Sequence, residues 1–477
     1  MTGGLLQLVA YGAQDVYLTG NPQVTFFKLV YRRHTNFSQE TIEQTFNGQA
    51  DFGKKVIATL SRNGDLVHKI WLWVNLPKVT VNGGEKFRWL NWLGHLLIKT
   101  VELECGGQLI DKMYSEWLHI FAELTMKAGH QAGYANMVGN VPKLTNLYAP
   151  AVGSTATVPA TSLYIPLPFY FCRNPGLCIP LVAMQYHELR IVIELRSLDE
   201  CCHFEPAAGG AGINSKGIQL DNASLLVDYI FLDTDERRRF AQVAHEYLIT
   251  QLQVTGDEST SQTSNQIKLS FNHPTKELIW VTIKEDYTKP YNQGGPTTGR
   301  QWFNFTTKPD ATWLTGVPGD PLGGGMGFNF NQSQLTNDMA LAPGSHFVSA
   351  SNYLTDFSFL DVGENPTAQA KLMLNGHDRF AVRDGRWFNL AIPYTTHENI
   401  PSTGINVYNF ALRPEEHQPS GTLNFSRIDQ ATLSLDLAPD AIKNDANQNT
   451  SVRIKIFAVS YNIMRIMSGM GGLAYSS

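Results

Sequence analysis

The sequence predicts an all-β chain folded as two tandem β-sandwiches with long surface loops. Three observations carry that prediction. Apolar and polar residues alternate with period two along many short segments, Gly- and Asn-containing turns punctuate them, and three of the segments recur in the same order in the second half.

Alternation puts one side-chain set in a core and the other toward solvent or a second packing surface. It is plain in Thr41-Ile42-Glu43-Gln44-Thr45-Phe46, Val101-Glu102-Leu103-Glu104-Cys105, Arg190-Ile191-Val192-Ile193-Glu194-Leu195 and Thr432-Leu433-Ser434-Leu435-Asp436-Leu437. Asn47-Gly48, Asn63-Gly64, Asn82-Gly83-Gly84, Gly106-Gly107 and Asn375-Gly376 supply hairpin turns. Leu60-Ser61, Asn63 and Ile70-Trp71 recur as Leu269-Ser270, Asn272 and Ile279-Trp280, a shift of 209. Val101-x-Leu103-x-Cys105-x-Gly107 recurs as Ala370-x-Leu372-x-Leu374-x-Gly376 at a shift of 269, and Leu181, Ile191, Ile193 and Leu195 match Leu423, Leu433, Leu435 and Leu437 at 242. The shift changes where Gly-, Pro-, Asn- and Thr-rich stretches intervene, around 127–162 in the first half and 285–365 in the second, so both read as surface loops.

In chain order, residues 1–23 form an N-terminal arm carrying Leu5, Leu6, Leu8, Val9, Tyr11, Val16 and Tyr17. That is too much apolar surface to leave in water, because a large side chain gains roughly 1.5–3 kcal/mol on full burial. The arm is therefore expected to dock on the barrel bases or on partners beneath them. Residues 24–233 form the first sandwich and 246–466 the second. Between them, 234–245 is a linker in which Thr234 is expected to cap a short helix running through Phe240 and Val243. The tail, 467–477, resembles a phosphate loop in its glycines. However, it has no Lys, and only five residues follow Gly472, too few for the helix such a loop needs. It reads instead as a flexible assembly arm with Leu473 and Tyr475 as apolar anchors.

Composition narrows the function. The apolar fraction is 43%, the charged fraction 17%, and the formal net charge −5, with 37 basic and 42 acidic residues interleaved. No basic footprint for direct nucleic-acid contact is present, and Arg237-Arg238-Arg239 follows Asp233, Asp235 and Glu236, which cancel much of its field. The five cysteines, Cys105, Cys172, Cys178, Cys201 and Cys202, include no C-x-x-C pair, so neither a disulfide framework nor a zinc site is expected, and a reducing compartment fits. Neither a signal peptide nor a membrane-spanning segment is expected.

Several long segments resemble the major capsid proteins of the nucleocytoplasmic large DNA viruses, above all those of the chlorella viruses. They are YGAQDVYLTGNPQVTFFKLVYRRHTNF, DYIFLDTDERRRFAQVAHEYLI, FNHPTKELIW, PSGTLNFSRID and YNIMRIMSGMGGLAY, and they span both ends and the middle of the chain. The resemblance implies a double jelly roll, two eight-stranded sandwiches side by side. It also implies a homotrimer of pseudo-sixfold outline, since two similar rolls per chain give six similar corners. Such trimers tile an icosahedral shell, meet neighbouring capsomers and minor capsid proteins beneath, and enclose an inner membrane and a DNA genome. The localisation implied is the virion capsid, after synthesis in the host cytoplasm. The loops at 127–162 and 285–365 would top the capsomer.

Catalytic constellations are scarce, and no cofactor is expected. Tyr186-His187-Glu188 and His245-Glu246 lack the second His of a zinc helix. Asp378-Arg379 and Arg383-Asp384-Gly385-Arg386 read as ion pairs rather than as the carboxylate pair of a glycosidase. The rival class is a carbohydrate-binding or carbohydrate-cleaving tandem sandwich, which would gather aromatics and a carboxylate pair on one concave surface. Trp71, Trp73 and Trp280 stand in predicted strands, which points to cores instead. Of the Asn-x-Ser/Thr sequons, Asn304 and Asn331 lie in the predicted outer loop and are the candidate glycosylation sites.

Overall fold

A computed structural model describes residues 3–23, 26, 31–207, 209–289, 300–308, 364–443 and 448–475. The first half is built on eight principal strands: β1 (Phe37–Gln44), β2 (Lys55–Thr59), β3 (Leu66–Leu76), β4 (Ile98–Cys105), β5 (Gln108–Tyr114), β6 (Thr161–Pro166), β7 (Leu189–Leu195) and β8 (Asn222–Leu232). They form two antiparallel sheets, ordered β1-β8-β3-β6 and β2-β7-β4-β5. The inward residues Ile70, Leu72, Val74, Leu163, Ile165, Leu225 and Val227 of one sheet meet Val56, Ala58, Val101, Leu103, Ile191 and Ile193 of the other in one core. Strands far apart in sequence lie side by side, the jelly-roll arrangement.

The second half repeats it. Its strands are β9 (His245–Val254), β10 (Ser264–Lys268), β11 (Pro274–Lys284), β12 (Thr367–Leu374), β13 (His377–Asp378), β14 (Asn406–Asn409), β15 (Ala431–Leu437) and β16 (Val452–Met467). Their sheets run β9-β16-β11-β14 and β10-β15-β12-β13, the same order strand for strand. The internal repeats fall on these equivalents and keep their pairing: Ile191 faces Leu103 across β7/β4, and its repeat Leu433 faces Leu372 across β15/β12. Likewise Ala58 faces Ile191, and Ile267 faces Leu433. A preserved cross-strand register is a far stronger sign of duplication than composition, because a slip of one residue turns every side chain to the other face.

One repeat shows such a slip. Ile70 points into the first core, with Trp71 half-buried on the outer face, whereas in the second roll Trp280 is the inward residue and Ile279 points out. A register irregularity between Thr275 and Glu277 on β11 accompanies the change. Trp280 is thus a core residue, but Trp71 and Trp73 are not: both lie half-buried on the outside of the β1-β8-β3-β6 sheet.

Other elements also depart from the sequence reading. The linker helix spans Thr234–Gln242, and its cap is Asp233, whose side chain accepts from the Thr234 amide at 2.8 Å, one residue earlier than expected. The 127–162 block is a folded cap, with short helices Gln131–Val138 and Pro142–Thr145 and buried Tyr134, Val138 and Leu144. In the other block, 290–299 and 309–363 lie outside the described residues, Asn331 among them.

The tail is not a free arm. Met470–Leu473 forms β17, which turns back to pair with β16, Gly472 opposite Arg465 and Met470 opposite Met467. Ser468 and Gly469, at φ 53 and 79, make the two-residue turn, a backbone that suits the right-handed twist of a hairpin. Gly471 is buried so tightly that a Cβ there would stand 3.0 Å from Met184 and 3.1 Å from Cys105. Its carbonyl accepts from His187 Nδ1 at 2.8 Å. Leu473 packs against the first roll's core, while Tyr475 stays exposed. The tail therefore staples the second roll to the first. The glycines serve close backbone approach.

The two rolls meet through the β9-β16-β11-β14 sheet. Its inward face (Leu278, Trp280, Ile454, Ile456, Ala458) packs within the second roll, and its outward face (Ile279, Val281, Ile283, Val407, Phe457, Val459) joins the first roll's core. Phe457→Ala is expected to destabilise the isolated chain by about 3–5 kcal/mol, as for a large aromatic lost from a core. Trp71→Ala on the corresponding open face is expected to cost well under that, both read from denaturant midpoints.

Candidate functional site

For a chain whose working parts are surfaces, the site is the contact between rolls together with the faces left open. The helix α3 (Ser115–Thr125) directly follows β5 and is buried along nearly its whole length, a polarity pattern that only a neighbour on both sides satisfies. It lies on the outer face of the second roll's sheet, with the Trp117 ring 5.6 Å from Phe457. Beside it the buried Glu116 carboxylate takes Lys455 Nζ at 2.8 Å, with Arg196 at 4.0 Å. Burial alone would raise the Glu116 pKa, but Lys455 and Arg196 outweigh it and hold the carboxyl below its ordinary value. Arg196 also donates to Ser115 Oγ at 2.8 Å and lies 4.1 Å over the Trp302 ring. Such a buried charge cluster favours one docking geometry, since a displaced partner would leave a charge buried and unpaired.

Further along the seam, Asp111 of β5 accepts from the backbone amides of Leu252 at 3.1 Å and Lys112 at 3.0 Å. Gln251 donates to the Ile110 carbonyl, and Glu277 pairs with His397 at 3.1 Å. Residues 300–308 of the second half cross onto the first roll: Arg300 pairs with Asp199, Trp302 Nε1 donates to the Glu200 carbonyl at 3.2 Å, and Phe303 stacks on His119 at 4.6 Å. His119 and His95 are buried here, and burial pushes both imidazoles toward the neutral form.

The sequence-derived candidates fall outside this seam or at its margin. Leu5, Leu6, Leu8 and Val9 stand on the short helix α1 (Gly3–Val9), Val16 and Tyr17 on α2 (Val16–Thr19), and Tyr11 between them, and each is more than half exposed, Tyr17 90%. Among the described residues, none of this chain's own barrel surface covers them. Asn304 is half-buried, with its Nδ2 donating to Gln301 Oε1 at 2.7 Å and to the Lys308 carbonyl at 3.0 Å. A glycan on that nitrogen would displace one of these bonds. Asp378 pairs with Lys371 at 2.8 Å, Arg383 lies over Trp387 at 5.2 Å, and the Asp384 carboxylate accepts from the Arg386 amide at 2.7 Å. Each of these groups engages a neighbour within its own segment or strand pair. Among the described residues, no three His, Cys, Asp or Glu are grouped to hold a metal.

Sequence reasoning missed the Glu116–Lys455–Arg196 cluster and the exposed helical face at Trp387, Leu390 and Tyr394. The first joins residues hundreds of positions apart and leaves no local pattern. The second was visible as an i, i+3, i+7 apolar spacing.

Residues 25–233 match the family described as major capsid protein N-terminus, and residues 236–472 match large eukaryotic DNA virus major capsid protein. The chain is 47% identical to the major capsid protein of Phaeocystis pouchetii virus and 40% identical to that of Paramecium bursaria Chlorella virus 1, covering 100% of each and of itself. Among solved structures it is similar to a chain of the PBCV-1 virus capsid at 35% identity and a TM-score of 0.67, covering 95% of this chain and 100% of that one. The Faustovirus major capsid protein shares the fold at 13% identity and a TM-score of 0.68, over 96% and 94% of the two chains. The chain therefore belongs to the major capsid proteins of large eukaryotic DNA viruses. It is a structural protein, not an enzyme, and a component of the virion capsid.

Burial raises the Asp111 pKa to about 6, so the folded chain keeps a proton that the unfolded chain releases near 3.8. Stability is then lost as pH rises through this window, because the folded state must ionise a carboxyl in the seam. Between pH 4 and pH 8 the native chain is expected to lose about 2–3 kcal/mol relative to Asp111→Asn, which keeps an acceptor oxygen for Leu252. Parallel denaturant titrations across that range check it.

Proposed function

We propose that this major capsid protein works as a homotrimeric capsomer of pseudo-hexagonal outline. Such trimers tile an icosahedral shell around an inner membrane and a DNA genome, touching neighbouring capsomers at their sides and minor capsid proteins beneath. The strand-for-strand duplication carries the reading: two equivalent rolls at a fixed angle turn three chains into six similar corners, and closed rings need a repeated heterologous contact. The mixed charge of −5 offers no basic footprint for direct DNA binding. Synthesis takes place in the host cytoplasm, consistent with five free cysteines.

In this reading the N-terminal arm is the inner assembly element. Its seven exposed apolar side chains have no cover among the described residues, and a surface of that kind marks a protein or membrane contact, here read as the protein partner beneath the shell. The domain limits follow: an arm to residue 23, a first roll to 233, a linker to 245, and a second roll which β17 extends past Ile466. Removal of residues 1–22 is expected to leave a folded soluble trimer and to impair shell assembly, scored by light scattering and electron microscopy. Normal shells from the truncated chain would overturn the role of the arm.

A further inference from the structure

Duplication gives every surface of one roll a counterpart on the other, so a surface covered in one place and bare in the other is informative. Helix α3 lies between β5 and β6 in chain order and covers the outer face of the second roll's β9-β16-β11-β14 sheet. Its counterpart between β13 and β14 is a wide turn, Trp387–Ala391, running into the helix α4 (Ile392–Thr396). Phe388, Asn389 and Pro393 are buried on one side of this segment, while Trp387 (46%), Leu390 (42%) and Tyr394 (76%) are exposed on the other.

The counterpart of the covered sheet face is the outer face of β1-β8-β3-β6. It carries Trp71, Trp73, Leu226 and Tyr164, the last 41% exposed, with Trp73 and Tyr164 stacked at 6.4 Å. Among the described residues, each chain thus bears one open helix face on its second roll and one partly open sheet face on its first. Within the chain, the same two kinds of face are already joined once, α3 on the second roll's sheet.

We infer that the contact recurs between copies: Trp387, Leu390 and Tyr394 of one chain seat on Trp71, Trp73 and Tyr164 of the next. This rests on the trimer reading above and assigns its interface. The occupant is a second copy because the surface that fits each bare face is the equivalent of the one covering it inside the chain. The charges are complementary with the signs exchanged. In the internal contact the helix brings Glu116 to Lys455 of the sheet; here exposed Arg383 and Arg386, with Asp384 between them, flank the helix face, while Glu43 and Asp228 lie on the sheet face alongside Lys69. A helix face of one copy on a sheet face of another is a heterologous contact, which closes into a ring when the rotation allows. Aromatic residues at its centre are the kind that dominate binding.

The test uses the full chain. Leu390→Glu/Tyr394→Glu and, separately, Tyr164→Glu are compared with wild type by concentration-dependent light scattering, with circular dichroism as the check on folding. The expected result is a native spectrum and trimer dissociation shifted by about tenfold or more to higher concentration. Independently of any loss of stability, differently tagged Tyr394→Cys and Tyr164→Cys chains, co-expressed, are treated with a short bismaleimide, and a mixed cross-linked pair is expected. A wild-type monomer at all concentrations would remove the trimer reading and this interface with it. A wild-type trimer that survives both Glu variants and gives no mixed cross-link would overturn the interface alone. The same holds if the Glu variants form trimers but fail to form shells, which would assign the faces to neighbouring capsomers or minor proteins.

Discussion

The rest of the molecule depends on one sheet being buried on both faces. β11 runs Pro274–Lys284, and ten of its eleven residues are buried, whereas its counterpart β3 keeps partly open positions on its outer side. A strand with a core on each side needs an unbroken apolar run in place of alternation, and Leu278-Ile279-Trp280-Val281 supplies it. Because Leu278 and Trp280 belong to one core and Ile279 and Val281 to the other, neither roll can rotate without opening a hydrophobic surface. The polar contacts then select one orientation. Glu116, Lys455 and Arg196 sit beside the apolar seam, and the tail hairpin closes its far end at Gly471. A capsid lattice needs such stiffness, since angular play within each unit accumulates across a shell.

Much of the architecture was legible because it is written in local periods and in their repetition. Two of the three repeats fall on equivalent strands with their pairing intact, which fixes order and register together. The repeat through Ile70-Trp71 and Ile279-Trp280 found the right strands and the wrong faces, because sequence spacing does not reveal a bulge. The same error placed Trp71 and Trp73 in a core. An aromatic on a strand reads as core by composition, yet the face it occupies depends on a register set elsewhere.

The termini show the converse limit. The glycines of the tail read as flexibility, whereas Ser468 and Gly469 turn the chain at positive φ and Gly471 is packed where a side chain would crowd its neighbours. What crowds them is Met184, Cys105 and His187, nearly three hundred residues or more away in sequence, so the tail's intramolecular docking had no local signature. The arm gave the opposite signal. Its apolar content pointed to burial, and the described residues provide none, so the unsatisfied surface itself carries the information.

The two rolls have diverged as an internal and an external contact should. The internal seam never meets water once the chain has folded, and it can be made of Ile, Val and Phe in a continuous run. A surface that waits for another copy must first survive as a soluble chain. It therefore keeps amphipathic residues such as Trp and Tyr, half-covered by neighbours and set among Glu43, Lys69 and Asp228. Apolar area there must stay modest, because a contact as dry as the internal seam would trap misplaced subunits. The difference between β11 and β3, two copies of one ancestral strand, is thus the difference between a joint made once and a joint that must remain correctable during assembly.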